Sequence, residues 1–145
     1  MNSLGIASIV MTVGMALTLA ACGARELSAD PEVLATGKAL YMQHCATCHG
    51  ANLEGQPNWK VPDANGVYPA PPHNREGHTW HHPDSVLLAI IAQGGTMPNS
   101  GMPAFGDKLN PDEMEAILVY IKSFWGQEEL EFQREVTQSM QEQSN

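Results

Sequence analysis

The stretch Gln43–Gly50, QHCATCHG, places two cysteines three positions apart and a histidine directly after the second. In the residues before it, DPEVLATGKALYMQHC from Asp30 to Cys45, apolar side chains recur at helical spacing. Asp30 is a favourable N-cap, and Pro31 suits the first helical turn. The sequence therefore predicts a helix that delivers Cys45 and Cys48 at its carboxyl end.

Three kinds of site use two cysteines at this spacing, and two of them fit poorly. A redox dithiol of the thioredoxin type needs its first cysteine at the amino end of a helix, usually after a strand, and this chain shows no strand pattern. A structural zinc site needs four ligands, of which Cys45 and Cys48 supply two. The other ligands would come from a histidine-rich loop with His73, His78, His81 and His82.

The third kind of site, covalent attachment of haem, uses every residue of the motif. In CxxCH the two thiols bond to the vinyl groups of one haem, and the adjacent histidine, here His49, ligates its iron. A haem also explains the segment from Gly50 to His82, in which no helical or alternating pattern persists. Loops of that length are uncommon unless they wrap something, and haem supplies apolar surface for them to bury.

The rest of the chain predicts a single domain with two further helices. With 145 residues there is room for one domain plus tails, and 43% hydrophobic residues argue against disorder. One helix spans HPDSVLLAIIAQGG and ends at Gly94. The other spans NPDEMEAILVYIKSFWG, with Asn110 as N-cap, Glu113 completing a capping box and Gly126 as its stop.

The expected division is a signal at 1–21, a tether at 22–29, the domain at 30–126 and an acidic polar tail at 127–145. That tail is interpreted either as a partly formed amphipathic helix or as a frayed segment.

The amino-terminal segment is typical of an export signal. Residues 1–21 carry no Asp, Glu, Lys or Arg and lead into LTLAAC at Cys22. This ending resembles the lipobox of bacterial lipoproteins, which implies a lipidated Cys22 anchored to a membrane that faces the periplasm or the cell exterior. The alternatives are an uncleaved membrane helix and an ordinary cleaved signal. All three place the residues after 22 outside the cytoplasm.

The charge balance excludes some partners and favours others. The chain has 7 basic and 16 acidic residues, for a net charge of −9. This balance argues against nucleic-acid binding and favours redox partners with basic docking patches. The sequence shows no carboxylate pair, nucleophile triad or phosphate loop that would predict another chemistry.

The order of segments resembles the class I cytochromes c, in particular small bacterial monohaem proteins. The resemblance rests on a helix ending in CATCHG, a Pro-rich loop, a short helix, GMPAF and a capped helix with VYIKSFW, and it covers Pro31 to Trp125. It implies an all-α cytochrome c fold, in which three or four short helices and long loops wrap one covalent haem c. It also implies that Gly37 packs against Tyr120. The implied function is transfer of single electrons between redox partners by Fe(II)/Fe(III) cycling.

The occupant of the iron's second axial position, opposite His49, determines whether the site transfers electrons or binds ligands. A methionine there raises the iron potential and closes the site to small molecules. Met97 in TMPNS and Met102 in GMPAF each precede a proline, which favours extended geometry for the preceding residue. The resemblance implies that Met102 is the ligand, with Phe105 near the haem, and Met97 is the alternative. An open sixth site would instead suit a haem peroxidase.

Two further features of the long loop enter the prediction. The resemblance implies a proline whose carbonyl accepts the free ring N–H of His49, and the candidates are Pro71, which is preferred, and Pro72. Three aromatic residues are interpreted as lining the haem, supporting its propionates or packing in the core: Trp59, Tyr68 and Trp80. A different function, metal handling or haem sensing, would use HTWHHPD to bind copper or zinc.

Overall fold

The computed structural model describes residues 30–143, so the expected signal, tether and lipidated Cys22 lie outside the described residues. This part of the chain is helical and contains no strand, which confirms the predicted all-α class. Its elements are α1 Pro31–His44, α2 Ala46–His49, a 3-10 turn Thr79–His81, α3 Asp84–Gln93, α4 Pro111–Lys122 and α5 Gln127–Gln143. Within residues 30–143, no helix is long and apolar enough to cross a membrane.

The predicted caps of α1 and α4 are confirmed. The side chain of Asp30 accepts a hydrogen bond from the backbone N–H of Glu32 at 2.9 Å. At the start of α4, Asn110 and Glu113 form both bonds of the capping box, at 3.0 and 2.9 Å. These local bonds satisfy backbone donors that a helix start leaves unpaired, so short sequence patterns were enough to place both starts.

The end of α4 differs from the prediction. The helix ends at Lys122, before Gly126, because the backbone N–H groups of residues 123–125 bond three residues back at 3.1–3.2 Å. This tighter turn accompanies a tertiary contact, in which the indole Nε1–H of Trp125 donates to the carbonyl oxygen of His73 at 2.8 Å. The turn therefore ties the end of α4 to the long loop.

The core forms where α1 crosses α4. At the crossing, Gly37 is buried, and an added Cβ would overlap the carbonyl group of Ala116 and come within 3.1 Å of the Tyr120 Cβ. The close approach that the sequence resemblance implied is therefore present, and it explains why a residue of low helix propensity lies within α1. The apolar stripe that runs along α4 and on to Trp125 is buried: Met114, Ile117, Leu118, Ile121 and Trp125.

The segment after α4 is helical rather than frayed. Of the two interpretations of residues 127–145, the structure shows a helix, α5, over Gln127–Gln143. Glu129 and Gln133, one turn apart, are buried. The helix packs on the 3-10 turn, so the described part of the predicted tail forms part of the folded unit.

Candidate functional site

The cysteine motif lies on one helical turn. Cys45 ends α1, and α2 adds the turn Ala46–His49. The backbone N–H groups of Cys48 and His49 donate to the carbonyl oxygen of Cys45 at 3.1 and 2.9 Å. Because residues three and four apart share one face of a helix, the two thiols and the imidazole are presented on the same side. This is the arrangement that bonding to two vinyl groups and one iron requires.

The thiols do not have the character of a redox dithiol. Burial, together with a smaller effect of the neighbouring Cys48, raises the pKa of the Cys45 thiol to about 11. A reactive cysteine needs the opposite, a lowered pKa that supplies thiolate. Cys45 packs against the apolar core, whereas Cys48 is exposed, and the two are not joined in a disulfide. The thioredoxin-type interpretation therefore loses support.

His49 is oriented by the long loop. Its ring is buried, and its Nδ1 lies 2.8 Å from the carbonyl oxygen of Pro71. Because a carbonyl oxygen can only accept, Nδ1 carries the proton and Nε2 keeps a free lone pair. Burial lowers the pKa of His49, while the bond to Pro71 acts in the opposite direction. The ring is therefore in the neutral form that binds a metal.

Backbone hydrogen bonds place Pro71 beside His49. The N–H of Gly55 donates to the carbonyl of His49 at 2.8 Å, and the N–H of Gln56 donates to that of Ala70 at 2.9 Å. The N–H of His73 donates to the carbonyl of Leu53 at 2.9 Å. The chain therefore runs back past the motif with Pro71 held between two bonded residues. Pro72, the other candidate, accepts a bond from the Thr79 hydroxyl instead.

A second histidine, His73, covers the face of His49. The two rings stack with centroids 3.9 Å apart and planes 21° from parallel. The Thr79 hydroxyl donates to the Pro72 carbonyl at 3.4 Å, so Nδ1 of His73 is the donor in its 3.0 Å bond to that hydroxyl. Burial lowers the pKa of His73 well below its usual value, and the nearby His49 and His78 lower it further. His73 is thus a neutral ring packed against the expected iron ligand.

The stack predicts a graded effect of substitution at position 73. We expect His73→Ala to lower the free energy of unfolding of the haem-loaded protein by roughly 2 kcal/mol, because it removes a large ring from a packed site. His73→Phe keeps a flat ring against His49 and is expected to retain most of that stability. Urea unfolding of both variants measures the difference. Equal losses in the two variants would show that the stack contributes nothing.

The two candidate methionines differ in environment. Met102 is half-buried, and its backbone is anchored at both sides, since its carbonyl accepts from Gly95 N–H at 3.2 Å and its N–H donates to the Ser100 hydroxyl at 3.3 Å. Met97 is 63% exposed. Phe105 is buried and bonds through its N–H to the carbonyl of Ile91 at the end of α3. An inward-facing ligand is better served by the anchored, half-buried side chain.

Among the three aromatic residues of the loop, Trp80 has a buried hydrogen-bond donor that is unpaired within the described residues. Its indole Nε1 is buried without a partner in the part of the chain that the structure describes. Leaving such a donor unpaired costs about 1–3 kcal/mol, so an acceptor from a bound group is expected there. A haem propionate is such an acceptor, and the residues present therefore fit haem. Trp59 instead stacks on His78 at 5.4 Å, and Tyr68 is exposed.

The remaining histidines do not gather into a metal site. His78 stacks on Trp59, whereas His81 lies 3.7 Å from the ring of Trp80. Over residues 30–143, no group of three His, Cys, Asp or Glu side chains is placed to share a metal ion. The copper or zinc interpretation of HTWHHPD therefore finds no support in the described structure.

Two thiols and a buried imidazole with a free Nε2 share one helical turn. The loop that follows holds an indole donor without a partner among the described residues. Together these features define a helical haem-binding domain. The family model for cytochrome c matches residues 34–125, more than half of the sequence. The chain belongs to the cytochrome c family. A domain of this family with the Cys45 and Cys48 pair carries covalently bound haem c, and its family function is electron transfer.

Several curated proteins share this domain. The chain is 33% identical over 97 residues to the quinohemoprotein alcohol dehydrogenase ADH IIB of Pseudomonas putida. The aligned region covers 67% of this chain and 12% of that protein. It is 26% identical over 108 residues to the cbb3-type cytochrome c oxidase subunit FixP of Sinorhizobium medicae, covering 68% and 34%. For subunit CcoP of Azospirillum the values are 26% over 99 residues, covering 68% and 31%. The chain thus spans about a third or less of these relatives. No solved structure gives a significant match.

Sequence reasoning missed part of this site. The sequence places His73 only among the loop histidines, and no local signal marks it as the neighbour of His49, which lies 24 positions earlier. The contact of Trp125 with the His73 carbonyl was missed for the same reason. Both contacts join segments that are distant in sequence and that no repeating pattern connects.

Proposed function

We propose that this chain is a monohaem electron carrier in which Cys45 and Cys48 hold the haem by thioether bonds and His49 and Met102 are its axial ligands. Haem bound at this motif supplies an iron that accepts one electron from a donor and passes it to an acceptor, alternating between Fe(II) and Fe(III). The observation that carries the proposal is the bond between His49 Nδ1 and the Pro71 carbonyl. That bond leaves Nε2 available, and the imidazole shares one helical turn with both thiols.

The surrounding residues restrain His49 and offer a donor to bound haem. The carbonyl of Pro71 fixes the proton on Nδ1 of His49, and such a partner tunes a ligated imidazole. His73 restrains the same ring from its face. Trp80 offers its unpaired indole N–H to a haem propionate. If His49 and Met102 both hold the iron of bound haem, their side chains would stay in place when its charge changes, which would suit rapid electron exchange.

Charge and the amino-terminal segment support the proposed partners and location. The net charge of −9 favours partners with basic docking patches, and their association is expected to weaken as salt rises. The relatives named above are a redox enzyme and oxidase subunits, which supports a redox enzyme as donor or acceptor. We place the protein outside the cytoplasm, anchored by lipid at Cys22, on the strength of the sequence LTLAAC.

Haem attachment is the direct test of the proposal. Protein produced with a haem-attachment system is expected to keep haem through denaturing electrophoresis, and the double variant Cys45→Ala/Cys48→Ala is expected to lose it completely. Thr47→Ala changes an exposed residue between the two cysteines and serves as the matched control, which should keep haem. Haem that washes away from the unaltered protein would contradict the proposal.

Carbon monoxide distinguishes the carrier from a haem peroxidase. A reduced protein with both axial positions filled is expected not to bind carbon monoxide at neutral pH, because Met102 closes the sixth site. Rapid binding would indicate an open site and favour the enzyme alternative. Absorption spectra of the reduced protein, with and without the gas, provide the measurement.

A further inference from the structure

The last helix, α5, lies beyond the residues 34–125 that match the cytochrome c family. It nevertheless packs on the segment 73–84, which joins the loop of Pro71 to α3. Glu129 and Gln133 are buried in this helix, at 8% and 2% exposure. Gln133 is hydrogen-bonded, as buried polar side chains normally are, so the contacts of α5 are specific as well as apolar.

Gln133 anchors the end of the segment 73–84. Its Nε2 donates to the carbonyl of His82 at 3.3 Å and to Oδ1 of Asp84 at 2.5 Å. One turn later, the hydroxyl of Thr137 accepts from the backbone N–H of Asp84 at 3.1 Å. Asp84 also pairs with Nζ of Lys122 at 2.6 Å. The start of α3 is therefore tied to both α4 and α5.

Two other contacts anchor the beginning of the same segment. The indole of Trp125, just before α5, donates to the His73 carbonyl at 2.8 Å. Arg75 Nε lies 3.6 Å from Oε1 of Glu129. Because the segment between these contacts contains only the three-residue turn Thr79–His81 as regular structure, the contacts at its ends help to fix its position.

Between the anchors, α5 packs directly on Trp80. The Phe132 ring meets the Trp80 indole edge-to-face, with centroids 5.5 Å apart and planes at 87°, and meets His81 at 5.5 Å. Phe132 is itself 44% exposed, so it lies between Trp80 and solvent. The Trp80 Nε1 is the buried donor that has no partner within residues 30–143. Helix α5 thus holds Trp80 in place, and the indole N–H of Trp80 needs an acceptor from a bound group.

We propose that α5 is a positioning element of the haem site, holding Trp80 through Phe132 and Gln133 so that its indole N–H meets a haem propionate with water kept out. The inference rests on the proposed function, because it requires haem in the site. A hydrogen-bond donor partly neutralises the negative charge of the propionate, and the exclusion of water removes polar solvent. Both effects reduce the electrostatic stabilisation of the extra positive charge of Fe(III). Both therefore raise the reduction potential.

Reduction potentials of the haem-loaded full chain test this role. We expect Phe132→Ala to lower the potential, so that the Fe(III)/Fe(II) ratio at a fixed ambient potential rises roughly threefold, a part of what one charge-assisted hydrogen bond contributes. Trp80→Phe removes the donor itself and is expected to shift the potential in the same direction. In the double variant the second substitution should add little, because Phe132 acts through Trp80.

Phe124→Ala is the matched control for the loss of a phenyl ring. Phe124 is 36% exposed, and its ring contacts Tyr120 at 5.2 Å. We expect this variant to lose some stability while its potential stays unchanged. If Phe132→Ala likewise lowered stability without changing the reduction potential, α5 would be a structural helix only and the inference would be wrong. Additive shifts in the double variant would overturn it as well.

A second variant covers the case in which Phe132→Ala does not fold. Gln133→Leu keeps side-chain volume and removes the bonds to His82 and Asp84, so it should also lower the potential, and an unchanged potential would overturn the inference. These outcomes are distinct from failure of the proposed function. The function fails when no covalent haem forms, whereas the inference fails with haem in place and potentials that do not respond.

Discussion

Replacing Met102 with alanine is expected to abolish the weak long-wavelength absorption band of oxidised, methionine-ligated haem c. It is also expected to lower the reduction potential by on the order of 0.1 V, because axial ligands set haem potentials over a range of about 0.8 V. Methionine opposite histidine favours the reduced iron, so its loss favours Fe(III). The reduced variant should then bind carbon monoxide. Absorption spectroscopy combined with a redox titration measures all three effects.

Met97→Ala is the matched control for that experiment. It removes the same side chain from the same loop, but Met97 is 63% exposed, whereas Met102 is half-buried and held through Gly95 and Ser100. We expect the control to keep both the absorption band and the potential. The reverse pattern, with the band lost in Met97→Ala alone, would transfer the axial role to Met97. Loss of the band in neither variant would exclude both methionines.

Replacing Gly37 with valine is expected to destabilise the haem-loaded protein by roughly 3 kcal/mol, at the upper end of the cost of overpacking a core. The Cβ would overlap the backbone carbonyl of Ala116 and lie 3.1 Å from the Cβ of Tyr120. A backbone carbonyl in the middle of α4 moves only if the helix moves, so the clash has no inexpensive relief. The urea midpoint of unfolding measures the loss.

Ala39→Val provides a comparison in which valine is introduced at a nearby position of the same helix. Position 39 lies on the exposed side of α1, and we expect the substitution to cost less than about 1 kcal/mol, mainly through the lower helix propensity of valine. Valine is a better helix former than glycine, so propensity alone predicts no loss at position 37, and similar losses at the two positions would contradict the close-packing explanation. In that case the α1 and α4 crossing would not depend on glycine.

Features determined within a few residues could be predicted from the sequence. The caps Asp30 and Asn110 bond to backbone groups two and three positions away, and the sequence patterns for both were sufficient. Helix α4 ends before the predicted stop at Gly126 because residues 123–125 tighten into a turn, where Trp125 bonds to His73 far away in the sequence. The helical or frayed state of residues 127–143 also depended on distant partners, so the sequence left it open.

The sequence by itself determined the chemistry of this protein, whereas the tertiary structure decided how that chemistry is held. CxxCH specifies the thiols and the imidazole, because their spacing on one helical turn is a local property. The loop residue that bonds His49, the ring that stacks on it and the helix that covers Trp80 come from segments 22 to 83 positions away. No periodic pattern encodes those contacts, since packing around a shared core brings the segments together only when the chain folds.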